Sequence, residues 1–305
     1  MKKKSKIFSA IIIALVIVGL TMPLLNIFAQ ENLQAPLKEV SNKVEELIEL
    51  KDDNTLSDQE KEQKEIQVRK EALEKILDLS LIETKNLTDK LNSLELSSDD
   101  QIAIKEKFIE ILSNNTQFST DLKSKINQDS INLEGIKAMA QEYKDWREVN
   151  YNPYIKKITV FILTFQEKQV LKTANTRLDK IMSDIKKLED LKIIKKDDTL
   201  KFITNSTKNL SDAQILNNDA ETKIVSIIKK EIIEAASTTP ETVMAVSSLT
   251  IQSTPSPEIA TSTIKTISDE ESAQSLVENS LQEIKNAYTN FINISVLVSQ
   301  KLKIK

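Results

Sequence analysis

Three pairs of adjacent carboxylates, Asp52/Asp53, Asp99/Asp100 and Asp197/Asp198, are the first residues in this chain whose type and spacing invite chemistry. Neighbouring acids can collect the oxygens that a calcium ion needs, but the usual loop for that purpose turns sharply at a glycine. None of the three segments holds one. Each pair instead stands where a helix is expected to begin, where Asp accepts backbone N–H groups and complements the helix dipole. Capping is therefore the expected role, and no metal site is assigned. Carboxylate pairs also hydrolyse glycosides, at separations that sequence does not fix. A chain with 2 Gly and 4% aromatic residues has little from which to build a sugar cleft.

The residues that are missing narrow the chemistry further. With 0 His there is no ordinary general base near neutral pH and no Glu-x-x-His motif for a di-iron bundle. With 0 Cys there is no thiol nucleophile, disulfide, zinc–thiolate site or lipidated cysteine. One of the 2 Gly, Gly19, falls in the N-terminal leader, which leaves Gly135 for the rest. Phosphate-cradling loops and tight β-hairpins both need more glycine than that. No catalytic, cofactor-binding or metal-ligating residue is assigned, no cofactor is expected, and the chain is not expected to be an enzyme. An enzyme built on carboxylates, Lys or Ser stays open as a third reading.

Aromatic residues cluster. Tyr143, Trp146, Tyr151, Tyr154, Phe161 and Phe165 fall in one short stretch that includes the only Trp. Two readings are open. Trp146, Arg147, Tyr151 and Tyr154 are the candidate partner-binding set, since Trp, Tyr and Arg anchor interfaces. Alternatively, they pack a corner between two helices, which is the favoured reading. The stretch WREVNYNPYIKKITVFILTFQEKQVLKTANTRLDKI (residues 146–181) resembles segments of uncharacterised exported helical proteins from candidate-phylum bacteria. The resemblance implies no function and agrees only with the bacterial style of the leader.

Charge argues against nucleic acid. The chain carries 42 Lys and Arg against 46 Asp and Glu, a net −4. Residues 1–29 hold four of the lysines and no acid, so the remainder stands at −8. Interspersed charges of this sign do not suit a phosphate backbone. The pairs Lys156/Lys157, Lys186/Lys187, Lys195/Lys196 and Lys229/Lys230 are expected on solvated faces. Asn-x-Ser/Thr matches such as those at Asn86, Asn114 and Asn205 carry little weight in a chain this rich in those residues.

The elements that would position any site are helices. Lys2, Lys3, Lys4 and Lys6 precede an apolar run, Ile7 to Leu20, and Ala29 offers a small residue before a cleavage point. This is the pattern of a signal peptide, residues 1–29; the alternative is an uncleaved anchor over 7–29, with the chain tethered to the membrane. Either way the rest of the chain is expected outside the cytoplasm, in the cell envelope or secreted.

Beyond the leader, Leu33, Leu37, Val40, Val44 and Leu47 step by four and three, the period of a narrow helical seam. Ser57 with Glu60, and Ser98 with Gln101, form capping boxes ahead of the second and third helices. The third carries Ile104, Phe108, Ile111, Phe118, Leu122 and Ile126, and Asn115 falls on the same face. A fourth helix runs from about Leu133 to Val149, Asn152-Pro153 starts a long fifth, and a sixth covers roughly Thr199 to Ala236. Residues 237–268, with Pro240, Pro255, Pro257 and many Ser and Thr, read as a linker. A capping box at Ser268 opens a last helix over 269–305, striped by Val277, Leu281, Ile284, Tyr288, Phe291, Val298 and Leu302.

The expected architecture is all-α, an elongated multi-helix bundle with coiled-coil-like antiparallel helices over residues 30–236. The expected role is a non-enzymatic, extracytoplasmic one, structural or protein-binding. The alternative is a membrane-anchored coiled-coil protein that oligomerises at the envelope. A protein partner or self-association is expected, with no nucleic acid and with membrane contact only through the N-terminal segment.

Overall fold

The computed structural model describes residues 31–52, 55–128, 131–234 and 257–303. Among them are seven α-helices and no strand: α1 Glu31–Asp52, α2 Asp58–Asn92, α3 Asp99–Ile126, α4 Leu133–Asn150, α5 Asn152–Asp190, α6 Lys196–Ile228 and α7 Pro257–Lys303. A π-helical turn, Lys229–Glu234, continues α6. The protein is an all-α multi-helix bundle, as its periodicity and glycine shortage predict. The leader 1–29 and the linker residues 237–256 lie outside the described residues.

Helix starts follow the sequence closely because side chains satisfy the first backbone amides. Ser57 Oγ accepts from Glu60 N at 3.3 Å, and Glu60 Oε2 accepts from Ser57 N at 2.9 Å. Gln101 Oε1 accepts from Ser97 N at 2.9 Å and from Ser98 N at 3.2 Å. Asn132 caps α4 by accepting from Gly135 N at 2.9 Å. A Cβ at Gly135 would sit 3.3 Å from that same Asn132 oxygen, so this cap is built around the missing side chain. Asp198 accepts from Lys195 N at 3.0 Å, and Asp99 and Asp100 occupy the first turn of α3. Asp52 differs from expectation. It is the last residue of α1 rather than a residue preceding a helix.

The last helix also begins elsewhere. It starts at Pro257, so residues 257–268 of the anticipated linker form its first turns. Proline is accommodated in a first turn, where its missing N–H has no partner to lose. Past Phe291 the buried stripe of α7 moves to Ile294, while Leu302 is exposed, because a strict seven-residue stripe drifts around a straight helix.

The end of α5 is a Schellman turn. Ile193 N donates to Leu188 O at 2.9 Å and Lys192 N donates to Glu189 O at 2.8 Å, with Lys192 at φ 56°. Glycine usually occupies that left-handed position; here a lysine does.

The described chain forms two compact units. Unit 1 comprises the described residues up to Ser93 together with Lys105–Thr159; unit 2 comprises Leu94–Ile104 and the described residues from Val160 onward. The single bundle expected over residues 30–236 is thus divided, and α7 belongs to unit 2.

In unit 1, α1 lies antiparallel to α2, tied by Lys43–Glu71 and Lys75–Glu39, each at 2.6 Å. Val40, Leu47, Leu73, Leu77, Leu122 and Tyr143 form its core. In unit 2, α7 lies antiparallel to α6, with Lys301–Asp198 at 3.2 Å near one end and Lys223–Ser272 at 2.7 Å towards the other. Leu171 and Ala174 of α5, Leu210 and Ala213 of α6, and Ile284, Ala287 and Phe291 of α7 fill its core. The three alanines are fully buried and let the helix axes approach. Each buried Leu, Ile or Phe contributes about 1.5–3 kcal/mol of transfer free energy, the main stabilising effect in a chain without disulfides.

Candidate functional site

The candidate partner-binding residues do not form one surface. Arg147 is 5% exposed and Tyr151 is fully buried, so both face the core of unit 1. Trp146 is half-buried and stacks on Phe118, with ring centroids 4.4 Å apart and planes 7° apart. Tyr154 is half-buried, with Lys157 Nζ 5.8 Å from its ring centre. Lys157 itself is 6% exposed, against the expectation that its pair with Lys156 lies on a solvated face. Its stem is buried and its ammonium reaches Pro153 O at 3.5 Å. The helix-corner reading therefore describes Arg147 and Tyr151.

What the corner encloses is a buried polar centre. Arg147 donates to Glu83 Oε2 at 3.2 Å, Tyr143 OH at 3.2 Å, Ser80 Oγ at 3.3 Å and Asn152 Oδ1 at 3.3 Å. Tyr151 OH donates to Glu83 Oε2 at 3.2 Å, and the guanidinium lies 4.5 Å from the Tyr151 ring centre. Asn115 of α3 donates to Ser80 Oγ at 3.0 Å and Thr84 Oγ1 at 2.7 Å. Burial raises the Glu83 carboxyl above its ordinary range, opposed by the Arg147 charge and the Tyr151 hydroxyl. Burial likewise pushes the Tyr151 phenol well up, so it stays a neutral donor. Ser80, Glu83, Asn115, Tyr143, Arg147 and Tyr151 are all buried, so the centre is internal and links α2, α3 and α4.

Ser80, Glu83 and Thr84 were not singled out from sequence, yet α2 shows where they sit. Its apolar stripe runs Leu73, Leu77, then Ser80 and Thr84, then Leu87 and Leu91. Polar residues at stripe positions are the signal of a buried network.

Unit 2 has its own polar centre. Asn217 of α6 donates to Thr164 O at 2.9 Å and to Glu167 Oε2 at 3.0 Å, both on α5. Ser280 of α7 donates to Ala213 O at 2.8 Å. Glu167 is 2% exposed, and burial raises its carboxyl to about 7, with Ser280 and Asn217 acting in the opposite direction.

Accessible polar chemistry gathers instead in a groove of about 570 Å³ in unit 2, lined by Glu95, Gln169, Lys172, Thr173, Thr176, Arg177 and Lys180. The α5 positions step by three and four, so they share one helix face. Lys172 and Lys180 are eight residues apart, about 12 Å at the helical rise. None of Lys172, Arg177 and Lys180 forms an ion pair among the described residues. Arg177 is steadied by the Tyr288 ring, 5.3 Å from its Cζ. Thr173 and Thr176 donate their hydroxyl protons to Gln169 O and Lys172 O, each at 3.0 Å, which leaves their oxygens as acceptors. No sequence motif marks these residues, because lysine and threonine recur all along the chain.

Comparison with protein-family models, with curated proteins and with solved structures finds no match. Among the described residues no group of three or more acids is placed to hold a metal ion, and no helix is long and apolar enough to cross a membrane.

Proposed function

We propose that this is an exported, non-enzymatic helical-bundle protein that works by contact, and that its contact surface is the α5 groove of unit 2, receiving an acidic segment of a partner protein. The observation that carries the reading is the set of three cations without an ion-pair partner among the described residues, Lys172, Arg177 and Lys180, on one face of a helix in a chain of net charge −4. Unpaired cations beside a concave surface favour a negative partner and steer its approach. The groove also offers acceptors, Glu95 and the two threonine oxygens. These suit the N–H groups of a polypeptide and have nothing to offer a polyanion without donors. Export rests on the leader, with cleavage after Ala29 and with a tether over 7–29 as its alternative.

The test is binding of an acidic peptide series to the full chain, followed by fluorescence anisotropy against salt. The expected result is binding that weakens steeply with salt and is lost in a Lys172→Glu/Arg177→Glu/Lys180→Glu variant that keeps its helicity. Equal binding by that variant would refute the groove. Salt-independent self-association with no peptide binding would favour the oligomerising alternative.

A further inference from the structure

Two acceptor oxygens in unit 2 are buried without a donor: Glu167 Oε1 and Asn217 Oδ1. The same two side chains already share one bond, from Asn217 Nδ2 to Glu167 Oε2 at 3.0 Å. The orphaned atoms are therefore the second oxygen of each partner in a single carboxyl–amide pair. A carboxylate only accepts, so it relieves neither of them. A carboxylic acid has one O–H to donate. A proton on Oε1, taken from solvent, would have Oδ1 of the same pair as its acceptor, and one such bond beside the existing one would satisfy both orphans. Leaving them bare would keep the desolvation cost of two buried polar atoms.

We infer that Glu167 is carried in the folded protein as a neutral carboxylic acid, joined to Asn217 by two hydrogen bonds, and that loss of this proton loosens the packing of α5, α6 and α7, making the pair a pH-sensitive latch in unit 2.

The setting supports a latch. Glu167 comes from α5, Asn217 from α6 and Ser280 from α7, so the three helices meet at this carboxyl. Ser280 donates to Ala213 O at 2.8 Å, and its influence on Glu167 favours the charged carboxylate, so it opposes the proton rather than replacing it. Burial, Ser280 and Asn217 are the influences on the carboxyl, and no charged side chain of α5, α6 or α7 contributes. The neighbouring charges are engaged elsewhere: Lys168 pairs with Glu221 at 2.5 Å, and Gln101 reaches that same glutamate at 2.7 Å.

The sign follows from the folded carboxyl standing at about 7 against an ordinary 4.5. The folded state holds the proton more tightly than the unfolded state. The stabilisation is therefore fully present below about pH 4.5 and is lost as pH rises through about 7. Each pH unit of separation is a factor of ten, so the folding constant falls by roughly a few hundredfold across the window.

Glu167→Gln tests this in the full chain, because a glutamine amide donates and accepts in the same pattern and does not titrate. The expected result is a urea midpoint equal to wild type near about pH 5 and higher than wild type near about pH 8, with the gap opening between. Amides of α7 in the wild type should exchange faster than in Glu167→Gln at the higher pH and equally at the lower. Difference infrared spectroscopy of the wild type should show a protonated carboxyl band that titrates near neutral pH, a readout that does not depend on the variant folding. A variant less stable than wild type at alkaline pH, a gap that does not change with pH, or no protonated carboxyl in the folded wild type would each overturn the latch.

Discussion

Replacing Arg147 with Met removes the cation from a centre that cannot hydrate what is left. Glu83 is 3% exposed and would keep Tyr151 OH, at 3.2 Å, as its donor among the contacts described above. Ser80, Tyr143 and Asn152 would each lose a donor. Breaking a buried pair by removing one partner typically costs about 3–5 kcal/mol, because a charge is left buried without compensation. Removing both partners behaves differently. In Glu83→Leu/Arg147→Met the charges are gone together, and the Tyr151 hydroxyl loses the Glu83 acceptor but keeps Thr84, at a cost of no more than about 1–3 kcal/mol. The double variant should therefore be more stable than Arg147→Met alone. Urea unfolding of wild type, both single variants and the double variant closes the cycle, provided the slopes agree. Acid should also rescue Arg147→Met. Burial already raises the Glu83 carboxyl above its ordinary range, so the folded state binds a proton there more tightly than the unfolded chain does. Losing the cation pushes it further up, and the deficit should shrink as pH is lowered. A double variant as unstable as the sum of the singles, or a deficit that does not change with pH, would refute the account of this centre.

Trp146→Ala should cost about 1–3 kcal/mol, less than a fully buried aromatic, because the indole is half-exposed and its main contact is the Phe118 stack; a change within about 0.5 kcal/mol in the same unfolding assay would leave Trp146 free for a partner. Lys192→Gly should raise stability by about 0.5–1 kcal/mol, because it relieves a side chain at φ 56°, and Lys192→Ala should not; equal midpoints would refute strain there. Ser57→Ala should lower stability by about 1 kcal/mol in urea unfolding, with faster amide exchange confined to the first turn of α2, since its capping box is complete.

Much of the fold was legible in sequence because caps and stripes are local. Ser57, Ser98 and Asn152-Pro153 mark helix starts within a residue or so, and Asn115 on the apolar face of α3 announced a polar group in the seam. The start of α7 was not legible, since Ser268-Asp-Glu-Glu reads equally as a cap or as an ordinary helical segment. The division into two units was not legible either, because two of its three boundaries, after Ile104 and after Thr159, fall inside α3 and α5, where no proline, glycine or composition change marks them. For the candidate site, the Trp146–Tyr154 cluster was found and its inward-facing role was the favoured reading. Glu83 was missed because its partner Arg147 lies 64 positions away. Glu167 was missed because its partner Asn217 lies 50 away. Spacing along one helix does not predict such pairs.

Asn115 also bears on how the chain avoids misassembly. Leucine stripes match themselves nearly as well after a slip of two helical turns, so apolar burial alone discriminates poorly between alignments of α2 and α3. In the native alignment Asn115 meets Ser80 and Thr84. A seven-residue slip of α2 would bring Leu73 and Leu77, or Leu87 and Leu91, to the same place, since both pairs lie on the same face. The amide would then sit among leucines, at a cost of about 1–3 kcal/mol for each buried group left unmatched. One asparagine thus works as a key against frame-shifted pairing, the role polar residues play in coiled-coil seams. A helix-rich chain with 0 Cys has no covalent bond to hold one alignment, so the native one must be favoured by side-chain matching such as this.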